Sequence, residues 1–572
     1  MIKKKALAVA MAVSSLSLGI VGVAAGTSGA SGGVANATTL TEETNVGVTF
    51  TDNFNPYNSN SVSNQMTLES LTYEPLIEFD SLKAGVQYPW LATSEVFSNG
   101  GMTVTFTIRS GAKWSDGQAV TPADVAYTFN LINSNPSMNT LGLPTLSQPA
   151  SVSGNKVVLT YSTPQYSNQV AIGSALVLPQ HIWSKFSNPA NQVITNPIGD
   201  GPYTLKSYSS QVIKFQASKT FWGGTPVATY VDVPAIASNQ AATEALAAHT
   251  LDWAGNDIPN IQSTYVALDP AHNKYDYAAG STVTLWFNVS SKAPDAANSC
   301  LTDAAFRKAV SEALDRSQLS TLGETGYEPA ATSSSGLMPS QASYEGSFKN
   351  DLQATSASKS TVDATLTAGG FTLNSSGNPV VGGAAAAATG LASGTVCGNF
   401  NIEDPSAYSD YASDAQLIAT SLNNDGIKAT ADPVATSTWY SDIAAGTFDS
   451  MVHWGNGGTN PYTQFQNWLD DSSKAAGSAN YGGYQNAAAQ TDLANLASSA
   501  VGTAKFQAAV TALSTIMSTE VPEAPILYGA DWDVYSTARF TGWVDQSNPY
   551  IYPGPGNPDT LAYVLMKLKL AK

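Results

Sequence analysis

The chain has 572 residues, enough to bury large cores and to divide into more than one lobe. Hydrophobic residues make up 43% and aromatic residues 9%, which excludes a disordered chain, while charged residues make up only 12%, about half the usual share. With 25 basic against 43 acidic side chains the formal charge is −18, which argues against nucleic acid or an anionic membrane as a partner.

The N-terminus carries Lys3, Lys4 and Lys5, an apolar run from Ala6 to Ala25, and then small residues. Ala35-Asn36-Ala37 is an A-x-A cleavage candidate and Val23-Ala24-Ala25 a second, so residues 1–37 read as a signal peptide rather than a membrane anchor. The mature chain is then exported, to the periplasm or the extracellular cell envelope. The first cysteine is Cys300, so an N-terminal lipoprotein cysteine is not expected. Residues up to about Thr41 read as loose. Val46–Thr51 reads as the first strand, entering the loop Asp52-Asn53-Phe54-Asn55-Pro56-Tyr57.

Val104, Phe106 and Ile108 alternate with threonines, the period of a half-buried strand. Ser110-Gly111 and Asp116-Gly117 are turn signals around Trp114. Thr121 as N-cap, Pro122 at the first helical position and Asp124 three residues on predict a capped helix, with Val125, Phe129 and Ile132 on its apolar side. Lys156–Tyr161 and Thr284–Val289 read as strands, and 303–316 as a helix burying Phe306, Ala309, Val310 and Ala313. Arg307 and Asp315 on that helix read as a paired charge and a helix terminus, not as catalytic groups. Ser333–Ser335, Ser356–Ser360 and Gly382–Gly394 read as surface loops. An even pair of cysteines in an exported chain suggests one disulfide, Cys300 to Cys397, with two free thiols as the alternative. Two cysteines and four scattered histidines make no metal site by spacing.

The run from Trp114-Ser115-Asp116-Gly117 through Thr121 and Asp124-Val125 to Tyr127-Thr128-Phe129 resembles the W-S-D-G-x-x-x-T-x-x-D-V-x-Y-(S/T)-F signature of family 5 extracellular solute-binding proteins. Leu178–Trp183, Pro197–Tyr203, Phe221–Gly224, Ala245–Trp253, Asp303–Arg316 and Val521–Gly529 resemble further motifs of that family, in family order. Asp200 departs from the usual Thr or Ser of its turn. The resemblance implies an α/β, two-lobed, periplasmic-binding-protein-like fold of the large three-domain type with a two-crossing hinge near 285 and 525. Residues 38–75, 196–285 and 525–572 would form domain Ia, 76–195 domain Ib and 286–524 domain III. It also implies a monomeric receptor that hands a small solute to the permease of an ABC importer, with no catalytic residue and no cofactor.

Two segments have the chemistry of a ligand cleft: apolar faces beside oriented amides. The first holds Asn53, Phe54 and Tyr57, with Phe54 matching an aromatic ligand contact in peptide-binding relatives; the alternative is a capped turn with Phe54 in the core. The second holds Trp454, Asn456, Gly457 and Tyr462, with Phe465 and Trp468 beyond, and the alternative is that Trp454 and Trp468 are core residues. Peptide-binding relatives place an aspartate near 456–457 to meet the peptide ammonium, because an unpaired buried charge is costly. No acid occurs from Met451 to Leu469 here. Aromatic faces with amides suit a neutral oligosaccharide, which is favoured over an oligopeptide or dipeptide. A metal chelate beside His453 is a distant third reading. A secreted hydrolase is the competing class, but the G-x-S-x-G match at Gly29–Gly33 follows no strand and Glu403-Asp404 reads as a solvated turn.

Overall fold

Three larger sheets and three two-stranded ones run through the described residues of the computed structural model, which are 38–83, 85–255, 258–290, 293–294, 300–406, 408–455, 460–471, 480–557 and 560–572. The expected signal peptide, 1–37, lies outside the described residues. Among the described residues no helix is long and apolar enough to cross a membrane.

Ala92–Ser98, Thr103–Ile108, Lys156–Thr160 and Gln148–Ser153 form a four-stranded antiparallel sheet in that order. Val104, Phe106 and Ile108 turn inward as their alternation predicts. The helix after the Trp114 turn runs Pro122–Ser134, and the Asp124 carboxylate accepts from the Thr121 amide at 2.8 Å, closing the capping box. Trp114 is fully buried.

A seven-stranded sheet gathers strands far apart in sequence, in the order Asn273–Ala279, Ala530–Ser536, Trp253–Ala254, Thr39–Glu43, Tyr230–Pro234, Val212–Ala217 and Tyr203–Tyr208. Its central strand, Thr39–Glu43, lies parallel to both neighbours. This corrects the expectation of loose chain to Thr41 and a first strand at Val46–Thr51. Thr-Leu-Thr alternates as well as the later segment does, and Gly47 turns the chain at φ +75° inside the segment that was expected to be extended.

The third sheet has five strands, Lys428–Val434, Gly398–Pro405, Ser450–Trp454, Val283–Phe287 and Glu523–Leu527. Only residues 280–282 and 528–529 separate its strands from those of the seven-stranded sheet. These two crossings are tied to each other: Gly529 donates to Ser281 O at 3.0 Å and Gly280 donates to Gly529 O at 3.0 Å. A Cβ on Gly529 would stand 2.3 Å from the Ser281 hydroxyl, which would have to turn aside to admit it.

Cys300 and Cys397 are joined by a disulfide inside the core beside the five-stranded sheet. Two expected surface loops are something else. Gly383–Thr389 is a short helix, because a run of alanines between glycines favours helix. Ser333 and Ser335 are buried with their hydroxyls 2.7 Å apart, a polar pair satisfied inside the fold. Arg307 and Asp315 have structural parts, but the expected charge pairing is not seen, since among the described residues neither has an ion-pair partner. Arg307 donates to Leu301 O at 2.7 Å and Val521 O at 2.8 Å, at the C-terminus of the helix Ala504–Glu520. Asp315 caps the turn Arg316–Gln318.

Candidate functional site

The helix Pro461–Leu469 begins with two devices that its sequence announces. Asn460 accepts from the Tyr462 amide at 2.9 Å as N-cap, and Pro461 holds the first helical position. Phe465, Trp468 and Leu469 bury one face in the core, so Trp468 is a core residue. Gln464 is buried too, its amide donating to Thr282 Oγ1 at 3.0 Å and Gly336 O at 2.9 Å. The other face, with Tyr462, Thr463 and Gln466, is left to line a cavity of about 390 Å³.

The facing wall comes from chain more than 280 residues earlier. Phe79, Leu141, Val170 and Ala171 supply apolar surface, and Ser81, Ser167, Asn168 and Ser174 supply hydroxyls and an amide. Asn168 is oriented by donating to Gln165 Oε1 at 2.7 Å. Asn460 and Asn557 complete the polar lining. Among the described lining residues none is charged. Tyr462 is half-buried, and burial first and then Asp470 push its phenol up, so the ring presents a neutral hydroxyl.

Trp454 ends the strand Ser450–Trp454 and is half-buried. Its ring belongs to an aromatic group with Trp439 at 5.5 Å, His453 at 4.4 Å and Tyr411 at 6.2 Å. His453 stacks on Trp439 at 4.7 Å and burial holds its imidazole down at about 4, so it is neutral at ordinary pH. Asn456 and Gly457 lie outside the described residues.

The first expected segment is not a cleft wall. Phe54 is 1% exposed and sits edge-on to Tyr208 and Phe215 in the core under the seven-stranded sheet. Tyr57 is also 1% exposed and donates to Leu176 O at 2.7 Å in the neighbouring core. The amides beside them explain this. Asn53 Oδ1 accepts from the Ile194 amide at 3.1 Å, and Asn55 donates to Pro189 O and Gln192 O at 3.0 and 2.9 Å. Those bonds fasten the loop to 189–194 and direct the aromatic rings inward. The structure thus brings Tyr462 to the cavity and keeps Phe54 and Tyr57 away from it. The 79–81, 141–142 and 167–174 wall was missed, since no motif marks it.

A family model described as "Bacterial extracellular solute-binding proteins, family 5 Middle" matches residues 87–476. Among curated relatives, Protein XP55 of Streptomyces lividans is 28% identical over 223 residues, 38% of this chain and 38% of that protein. The nickel-binding periplasmic protein of Escherichia coli is 26% identical over 304 residues, 49% of this chain and 54% of that protein. The chain thus matches only 38% and 54% of those relatives' own lengths. The crystal structure of a periplasmic oligopeptide-binding protein of an oligopeptide ABC transporter from Thermotoga maritima covers 94% of this chain and 100% of its own, with TM-score 0.77 and 22% identity. The same protein bound to mannohexaose covers 94% of this chain and 99% of its own, with TM-score 0.70. At that identity these likenesses show the fold, an α/β periplasmic-binding-protein fold.

Proposed function

Given that this chain belongs to the family 5 bacterial extracellular solute-binding proteins and is therefore a receptor rather than an enzyme, we propose that its cavity holds a neutral oligosaccharide for delivery to an ABC importer. The observation that supports this is the lining: amides, hydroxyls, a tyrosine and apolar side chains, with no charged group among the described residues. A sugar presents hydroxyls to amides and its flatter C–H faces to rings, and needs no ion partner. A free peptide brings an ammonium that is costly to bury without a carboxylate. The mannohexaose complex of the Thermotoga maritima relative is consistent with such a cargo in this fold.

An oligopeptide is the second reading, favoured by the peptide-binding names of several relatives and by Asp470, one turn along the helix and bonded by Gln466 Nε2 at 3.3 Å. Domain motion belongs to the same proposal. Residues 38–75, 196–285 and 525–572 form one part, 76–195 a second and 286–524 a third, and the paired crossings at 280–282 and 528–529 act as the hinge that opens the cavity.

Calorimetric titration with mannohexaose, a free pentapeptide and its N-acetylated form tests the reading. Saccharide binding that is insensitive to salt, with the sugar recovered intact, is expected. Peptide binding that disappears on N-acetylation, with no saccharide binding, refutes the neutral cargo. Hydrolysed sugar refutes the receptor.

A further inference from the structure

The described core contains many carboxyl groups and few cations to meet them. Glu42 and Glu43 lie on the central strand of the seven-stranded sheet, both fully buried, and none of their four carboxyl oxygens has a hydrogen-bond partner among the described residues. In the same sheet Asp276 and Asp533 stand directly opposite each other on adjacent antiparallel strands, 5% and 2% exposed. Like charges in that position destabilise a sheet. In the five-stranded sheet Glu403 stands opposite Asp432 on the adjacent parallel strand, and Asp404 follows at 1% exposure, so Glu403-Asp404 is buried strand and not the solvated turn its sequence suggests.

The groups that face these carboxyls are mostly further acids and phenols. Around Asp533 they are Asp276, Asp531, Asp545, Tyr535 and Tyr550, with the Trp253 indole donating to it at 2.6 Å. Lys274 is on the same strand as Asp276, but its ammonium donates to Pro270 O. Glu42 faces Glu43 and Tyr203. Glu403 faces Asp432, Asp442 and Asp449. Among the described residues none of Glu42, Glu43, Asp276, Asp533, Glu403 and Asp404 has an ion-pair partner.

We propose that the fold is built to work in an acidic medium, where these buried carboxyls keep their protons and the strand pairs that hold them are neutral. A protonated carboxyl is a small amide-like group with one donor and an acceptor, and two can face each other across a ladder without repulsion. The low share of charged residues fits the same setting, because polarity comes from Ser, Thr and Asn, which do not titrate. Burial, and then neighbouring acids, push Glu42 and Glu403 up to about 8, and burial pushes Glu43 up to about 7. The stability such groups lend is full below the unfolded carboxyl range near 4 and is lost as pH rises through those folded values. His453 works the other way, since burial holds it at about 4, but it is a single group. The carboxyls that shift downward, Asp116 and Asp269, are paired with histidines near the surface.

This inference is independent of the identity of the cargo. Melting of the mature protein between about pH 4 and pH 8 at constant ionic strength tests it. A midpoint that falls steadily by several degrees as pH rises is expected, and a midpoint that is level or rises overturns the proposal. Asp533→Asn and Glu403→Gln, which keep the shape and remove the titration, are each expected to flatten that fall, and an unchanged slope in both overturns the assignment to these pairs. Should those variants fail to fold, wild-type protein unfolded in weak buffer near pH 6 gives the same answer. Net proton release is expected, and net uptake or no change overturns the proposal.

Discussion

Tyr462→Ala bears most directly on the cavity. The ring is half-buried, lining the cavity and packing against the core beside the helix Pro461–Leu469, while the Tyr462 backbone is capped by Asn460 through a bond that does not involve the ring. Alanine keeps the cap and favours helix, so the fold should survive. A sugar laid on one face of the ring covers about half of the 150–250 Å² an aromatic side chain can bury, or about 75–125 Å². At about 25 cal/mol per Å² that is about 2–3 kcal/mol, a loss of about 30- to 150-fold in affinity. Incomplete coverage lowers the figure, and a loss of at least about tenfold is expected in calorimetric titration with mannohexaose. Tyr462→Phe keeps the ring and should lie within about fivefold of wild type, since it removes at most one hydroxyl hydrogen bond to the cargo. Wild-type affinity in the alanine variant, with an unchanged melting curve, would refute a stacking role for this ring. Equal losses in both variants would assign the contribution to the hydroxyl.

Trp454 does not line the cavity and packs against the core with Trp439 and His453, so Trp454→Ala is expected to lower the melting midpoint while changing affinity in the same titration by less than about fivefold; a tenfold loss of affinity with an unchanged midpoint would instead make that ring a cargo contact. The disulfide closes a loop with a sequence separation of 97, for which chain entropy assigns about 4.7 kcal/mol. Cys300→Ala with Cys397→Ala should therefore lower the urea midpoint clearly without loss of cargo binding, as followed by tryptophan fluorescence. Arg307→Met leaves carbonyls at Leu301 and Val521 without their buried donor and should destabilise by at least about 3 kcal/mol in the same urea series.

The stretch from Thr103 to Ser134 was legible because every signal in it is local. A period-2 alternation, two Gly turns and a capping box follow one another between Thr103 and Asp124, and each acts on its own neighbours. The helix at Pro461 was not foreseen, although its signals are as local: Asn460 caps the start, Pro461 holds the first position, and Phe465, Trp468 and Leu469 form the buried stripe. Phe54 was misread because an aromatic between two asparagines looks like a ligand wall. The asparagines are in fact occupied by residues 189–194, and nothing within the loop says so. The facing wall of the cavity was invisible on the same principle. Phe79, Leu141 and Asn168 are ordinary residues until the fold sets them against a helix some 300 positions later.

Charge is where the sequence misleads most, because a formal count ionises every carboxyl. The value of −18 treats Glu42, Glu43, Asp533 and Glu403 as anions, yet burial and acidic neighbours favour their protonated forms. Exclusion of nucleic acid and anionic membrane as partners rested on that sign. In an acidic medium the protein loses negative charge first at those buried sites and then at its surface, while the 25 Lys and Arg side chains stay charged. Net charge then passes through zero. Long-range repulsion from anionic surfaces fades with it, and what keeps the receptor from sticking is the Ser-, Thr- and Asn-rich exterior. An uncharged cavity follows the same economy: recognition that depends on amides, hydroxyls and ring faces is unaffected by pH across the range in which the carboxyls of the core gain their protons.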